Sequence, residues 1–167
     1  MNLSELLEDK RKNSSILRTN YFSQNKNKSI WIIYLQNTLI NENLLNWLRI
    51  LPSNFIIISD ENKEREKNII FTKKIPKDLE SWIDFIVTDN SFESLKSYLN
   101  IWICPILPDD NYLSTLLEEF NPVKVTWNSY IYRNQNEWEI FYAIVRYLEN
   151  YKFPYDNRNL VKNLFEL

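Results

Sequence analysis

Six short runs of consecutive apolar, largely β-branched residues punctuate the chain: Ile30–Leu35, Phe55–Ile58, Ile69–Phe71, Phe85–Thr88, Ile101–Ile106 and Val123–Trp127. Continuous rather than alternating apolarity predicts strands covered on both faces. Between several of them apolar residues recur at helical spacing: Leu44, Leu45, Leu48 and Leu51, then Phe92, Leu95 and Leu99, then Tyr112, Leu113, Leu116, Leu117 and Phe120. Two helical stripes close the chain, Trp138, Phe141, Val145 and Leu148 followed by Leu160, Val161, Leu164 and Phe165, with Pro154 placed to break between them. Ahead of the first strand, Leu3, Leu6 and Leu7 share a helical face beside the basic cluster Lys10, Arg11 and Lys12, and the polar stretch Ser23–Ser29 reads as a linker. Strands alternating with helices predict an α/β fold: a single Rossmann-like domain, with a mainly parallel sheet of about five or six strands flanked by helices. Residues 1–29 form an N-terminal helix and polar linker, and residues 30–167 the domain with its two C-terminal helices.

Composition narrows the chemistry more than the class. The 167 residues carry a net charge of −2, 44% apolar residues and 15% aromatics, which is globular composition with no field of one sign for nucleic acid or an anionic membrane. Glycine and histidine are absent, and Cys104 is the single cysteine. Phosphate-cradling loops, the EF-hand turn and the nucleophile elbow all depend on glycine, where a Cβ would obstruct the backbone. Without histidine there is no Ser-His-Asp or Cys-His pair, and one cysteine makes neither a thiolate zinc site nor an intrachain disulfide. No resident cofactor or metal is expected. Asparagine occurs 23 times and alanine only at position 143, a bias toward A/T-rich codons that extends to the loss of glycine and reads as relaxed constraint. Turns must then use Asn, Asp and Pro, as in Pro52-Ser53-Asn54, Pro108-Asp109-Asp110-Asn111 and Asn121-Pro122, with asparagine in the left-handed region and modest stability as the consequence. The polar, acidic start and the shortness of the longest apolar run, Ile30–Leu35, lead to the expectation of a cytoplasmic protein without a membrane partner.

Ligands of such sheets bind outside the carboxyl ends of the strands. Those ends carry Gln36-Asn37-Thr38, Ser59-Asp60, Thr88-Asp89-Asn90-Ser91 and Leu107-Pro108-Asp109-Asp110, a polar and acidic rim that repels diphosphate but also suits ordinary loops and helix caps. Asp109-Asp110 reads as dipole compensation ahead of a helix rather than a cation site, and Glu118-Glu119 as a solvated helix face. Cys104 reads as a small buried hydrophobe. Lys73, Lys74 and Lys77 with six tryptophans raise single-strand binding, which the acidic balance and the core-like positions of the tryptophans oppose.

The order of segments resembles the C-terminal half of glycogen/starch synthases, two-domain glycosyltransferases of the GT-B fold. Lys10-x-x-Asn13-Ser14-x-x-Leu17 is similar to the family's K-x-x-N-K-x-x-L helix, Trp82–Val87 to its A-D-I-F-L-M strand, and Ile103-Cys104-Pro105-Ile106 to its T-V-P-I-V strand. Asn128–Tyr132 stands where the family has G-T-G-F-x-F. Ala143-Ile144-x-Arg146-x-Leu148-x-x-Tyr151 resembles the A-I-x-R-A-L-x-x-Y helix, and Leu160-x-x-Asn163 its closing L-x-x-N. The resemblance implies a nucleotide sugar or glucan as ligand. It also makes Glu93 the counterpart of the functional glutamate in E-P-C-G, given a short deletion before Pro105; ungapped counting gives Asp89 instead. The departures concern catalysis. Where the family's first strand leads into a phosphate-binding Arg and Lys, ungapped placement puts Leu35 and Ile40, and the glycine-rich segment after P-I-V has become Leu107-Pro108-Asp109-Asp110. Such exchanges weaken diphosphate binding by several kcal/mol. The resemblance therefore implies a degenerate half-domain, inactive alone and retained as a binding or partner module. The alternatives are an unrelated small α/β protein–protein interaction module and a transferase completed by a separate chain.

Overall fold

The computed structural model describes residues 3–23, 28–35, 40–61, 63–75, 77, 83–89 and 95–167. Among these, five helices and six strands follow one another as α1 (Leu3–Tyr21), β1 (Ile30–Tyr34), α2 (Glu42–Ile50), β2 (Asn54–Ile58), β3 (Ile69–Thr72), β4 (Phe85–Thr88), α3 (Leu95–Leu99), β5 (Cys104–Pro108), β6 (Tyr130–Tyr132), α4 (Glu137–Tyr151) and α5 (Pro154–Phe165). The strands form one sheet in the order β3-β2-β1-β4-β5-β6, every neighbouring pair parallel. This is the doubly wound arrangement that the alternation predicts. Its strand order reverses between β1 and β4, where Ile32 lies opposite Ile86 on one side and Ile56 on the other.

Continuous apolarity has the meaning assigned to it. β1, β2, β4 and β5 are buried along almost their whole length, whereas the edge strand β3 is covered only at Ile69. Trp31, at the centre of the core, packs on Phe55, Phe85 and Tyr147, and its indole N–H donates to Ser29 Oγ at 2.8 Å. Ser29 Oγ in turn meets Ser53 Oγ at 2.8 Å, so the buried polar atoms beside the indole satisfy one another. α1 joins the same core through Leu6 and Leu17. Asparagine supplies the helix starts: Asn41 and Asn136 accept from the N–H groups of Leu44 and Glu139, each at 3.0 Å. Pro154 opens α5 as its first residue, where its missing N–H costs nothing.

Several expected elements fall elsewhere. Residues 112–116 form consecutive turns and not a helix, and Glu119 beyond them makes an isolated parallel bridge to Ser129; Leu113 and Leu117 are buried but Tyr112 and Leu116 exposed. Asn111 Oδ1 takes the N–H of Leu113 at 2.9 Å and Ser114 Oγ bonds the Asp109 carbonyl at 2.8 Å, so side chains satisfy the backbone before a helix can. Val123–Trp127 is loop, and the last strand lies further on at Tyr130–Tyr132. The fifth strand begins at Cys104, because Ile101 and Trp102 belong to the turn after α3. α4 turns a different face inward: Ile140, Ala143, Ile144, Tyr147 and Leu148 are buried, while Trp138 is exposed and stacks edge-on against Trp47 of α2 at 5.6 Å. Phe165 on α5 is likewise exposed. Among the described residues the left-handed region holds no asparagine; its one occupant is Trp102, at φ 58°. Phe92 lies outside the described residues.

Candidate functional site

β1, β2 and β3 end side by side, and just beyond them opens a pocket of about 400 Å³. Its walls are apolar on the sheet side, formed by Tyr34 at the end of β1, Leu35 and Ile40 beyond it, and Phe71 on β3. Its rim is polar and comes from the turn after β2: Ser59, Asp60, Glu61 and Lys63, with Lys73 from the end of β3. The turn is held open by two bonds, Ser59 N–H to the Thr72 carbonyl at 2.9 Å and Glu61 N–H to Ser59 Oγ at 3.1 Å. Lys63 is committed, since its ammonium pairs with Glu61 at 2.9 Å and lies 5.6 Å from the centre of the Phe71 ring. Among the described residues Asp60 and Lys73 have no ion pair, so one carboxylate and one ammonium face the opening with charge to offer.

Leu35 and Ile40, which the family comparison sets against a phosphate-binding Arg and Lys, both line this pocket. Leu35 is buried and Ile40 half-buried, so both give the pocket a hydrocarbon wall next to β1. Lys63 and Phe71 are pocket residues that sequence reading did not single out. The available signal was an acidic and basic run, Asp60–Lys63, directly after an Ile-rich strand. Lys73 belongs in sequence to a basic cluster with Lys74 and Lys77.

On the other half of the carboxyl edge, the described residues tie the ends of β4 and β6 together. Asp89, directly after β4, is buried. Tyr132 reaches across from β6, its hydroxyl donating to the Thr88 carbonyl at 2.7 Å, and burial, with the Asp89 and Asp110 carboxylates nearby, raises the phenol above its ordinary range. It is therefore a neutral donor that locks two strand ends together. Asp110 accepts from Gln135 at 3.2 Å, and no helix follows for it to compensate. Glu118 and Glu119 do not lie on a helix either: Glu118 takes the Thr126 hydroxyl, and Glu119 pairs with Arg146 at 2.8 Å. Glu93, with its neighbours 90–94, and Gln36-Asn37-Thr38 lie outside the described residues, so the functional glutamate that the resemblance implies has no geometry here. Cys104 is buried, which pushes its thiol up, as a packing residue would be. Among the described residues no group of three potential ligands could hold a metal ion, and no helix is long and apolar enough to cross a membrane.

Neither a family model nor a curated protein matches this sequence. Solved structures do. The catalytic domain of starch synthase IV from Arabidopsis thaliana, bound to ADP and acarbose, superposes on the whole of this chain with a TM-score of 0.71 at 15% identity. A glycotransferase of kitacinnamycin covers 82% of it with a TM-score of 0.48 at 11% identity. The chain spans 40% of the length of the starch synthase domain. The fold is thus a GT-B-like Rossmann fold.

Proposed function

We propose that this chain is a binding module on a GT-B-like half-domain, one that transfers no sugar by itself. The observation that carries the reading is the hydrocarbon wall that Leu35 and Ile40 form next to β1, in a pocket whose rim holds Asp60 and Glu61. A nucleoside diphosphate there would bring its negative charge against two carboxylates, with Lys73 as the one uncommitted ammonium among the described lining residues. Hydroxyl groups meet no such penalty. An acidic residue after the second strand of a doubly wound sheet is placed to accept from ribose hydroxyls, and Tyr34 and Phe71 offer ring surface to a sugar or base. The ligand class is therefore neutral and polyhydroxylic, the sugar or nucleoside part of a nucleotide sugar, or a glucan. The superposed starch synthase domain, with ADP and acarbose bound, supports trying both kinds.

Calorimetric titration of the full chain with adenosine, maltotriose and ADP-glucose tests this. Adenosine or maltotriose should bind, ADP-glucose should bind no more tightly, and Asp60→Asn should weaken the complex by about tenfold, the worth of one charge-assisted hydrogen bond. No glucose should pass from ADP-glucose to glycogen. Measurable transfer, or ADP-glucose binding far tighter than adenosine, would overturn the reading.

A further inference from the structure

A second cavity, of about 420 Å³, lies at the opposite pole of the sheet, among α1, the amino end of β4, the turn before β5 and α5. Its charge is one-sided. Lys10, Arg11, Arg18 and Arg158 line it against a single carboxylate, Asp84. That carboxylate is already spent: it pairs with Arg18 at 3.0 Å and accepts the N–H of Ile30 at 2.9 Å. Lys10 donates to the Trp102 carbonyl at 2.7 Å, which uses one of three ammonium hydrogens and neutralises nothing. Burial of this ammonium lowers its pKa, against the opposing pull of the Asp84 carboxylate. Arg18 keeps a buried Nε–H with no protein acceptor. Arg11 and Arg158 are exposed at the mouth, and neither has an ion pair among the described residues. Three excess positive charges around one hollow, in a chain of net charge −2, amount to a placed field rather than an average surface.

We propose that this amino-pole cavity binds a small organic phosphate, a phosphomonoester whose body is planar or apolar. Guanidinium and ammonium groups together suit a phosphate dianion, since arginine offers paired donors and lysine a point charge. The remaining wall is largely hydrocarbon and aromatic, with Trp102, Tyr151 and Pro154 beside Ser14 and Asn157, which gives the body of the ligand a surface to cover. The site is separate from the carboxyl-edge pocket and shares no residue with it.

Phenyl phosphate, inorganic phosphate and phenol serve as probes in calorimetric titrations of the full chain at low ionic strength. Phenyl phosphate should bind about tenfold more tightly than inorganic phosphate, and phenol should give no heat. The double variant Arg11→Gln/Arg158→Gln changes only exposed side chains. It should keep the native melt while weakening phenyl phosphate at least about tenfold. Lys73→Gln, at the other pole, should leave that affinity unchanged. The proposal is overturned by absence of binding at millimolar phenyl phosphate, by unchanged affinity in the double variant, or by a loss with Lys73→Gln, which would put the ligand at the carboxyl edge.

Discussion

Replacing Asp84 by asparagine should be among the costliest single-atom changes this chain can undergo. Asp84 stands where β4 begins and closes the central strand pair against β1: its N–H donates to the Ile30 carbonyl at 3.1 Å, and its carboxylate receives the Ile30 N–H in return. The same carboxylate holds Arg18, reached from α1, with side-chain exposures of only 11% and 15%. Despite the cost of burial, this partner and the Tyr151 hydroxyl raise the guanidinium pKa, so the cation stays charged. Asparagine keeps the shape and one acceptor oxygen but leaves a buried cation without its counter-charge. Removing one partner of a buried pair costs about 3–5 kcal/mol. Set against the roughly 5–15 kcal/mol that hold a domain together, the loss should lower the melting temperature by about 10 °C for a chain of this size. Urea denaturation followed by far-UV circular dichroism measures it. Arg18→Met/Asp84→Asn, which removes both charges, should regain most of the lost stability, since an apolar replacement of a buried pair is often close to neutral. A cost below about 1 kcal/mol for Asp84→Asn, or a double variant as unstable as the single one, would refute this account of the pair.

Glu66, held below the usual carboxylate range first by its hydrogen bonds to Arg49, contributes stability that is full above its unfolded pKa of about 4.3 and is lost as pH falls through the lower folded value. Glu66→Gln should therefore cost under about 1 kcal/mol near neutrality, discounted for solvent screening, and less in acid; a gap independent of pH would contradict this. Ending the chain after Tyr155 removes buried Leu160, Val161 and Leu164, each worth about 1.5–3 kcal/mol, and should abolish the cooperative melt; an unchanged melt would make the last helix a detachable arm. Asn163→Ala leaves the carbonyls of Val125 and Trp127 without the amide that now meets them at 2.7 and 2.8 Å, and should cost about 1–3 kcal/mol in denaturant titration; a silent substitution would show that water serves them equally well.

Three of the central strands were legible from their apolar runs. Ile30–Tyr34, Asn54–Ile58 and Phe85–Thr88 sit close to those runs because a parallel strand covered on both faces is apolar through its middle, with polar Asn54 and Thr88 only at the ends. The last strand was not legible. Val123 and Val125 have β-branched side chains that lie exposed in the loop, while the strand proper is three residues long and built on Tyr130 and Tyr132. The phase of α4 was misread because it is apolar on two faces, one turned to the core through Ile140, Ile144 and Tyr147 and one turned to Trp47 of α2. Cys104 lies buried as its apolar neighbours predict, and of the sites the polar turn after β2, Ser59-Asp60, could be read from the end of its strand. The hollow at the amino pole could not. Its four cations come from residues 10, 11, 18 and 158, and only the fold brings the last of them beside the first three.

The sheet order also sets the sequence of events by which the chain must assemble. Three strands, β1 to β3, are neighbours in space and nearly so along the chain, but the middle of the sheet is stitched by Ile30 and Asp84, 54 residues apart. Contacts of that separation repay the entropy of loop closure only late, which slows folding. During synthesis the Ile-rich strands β1 and β2 leave the ribosome well before β4 exists to cover the open side of β1. For that interval the chain displays an unpaired, wholly apolar strand edge, the surface that chaperones bind and that aggregation recruits.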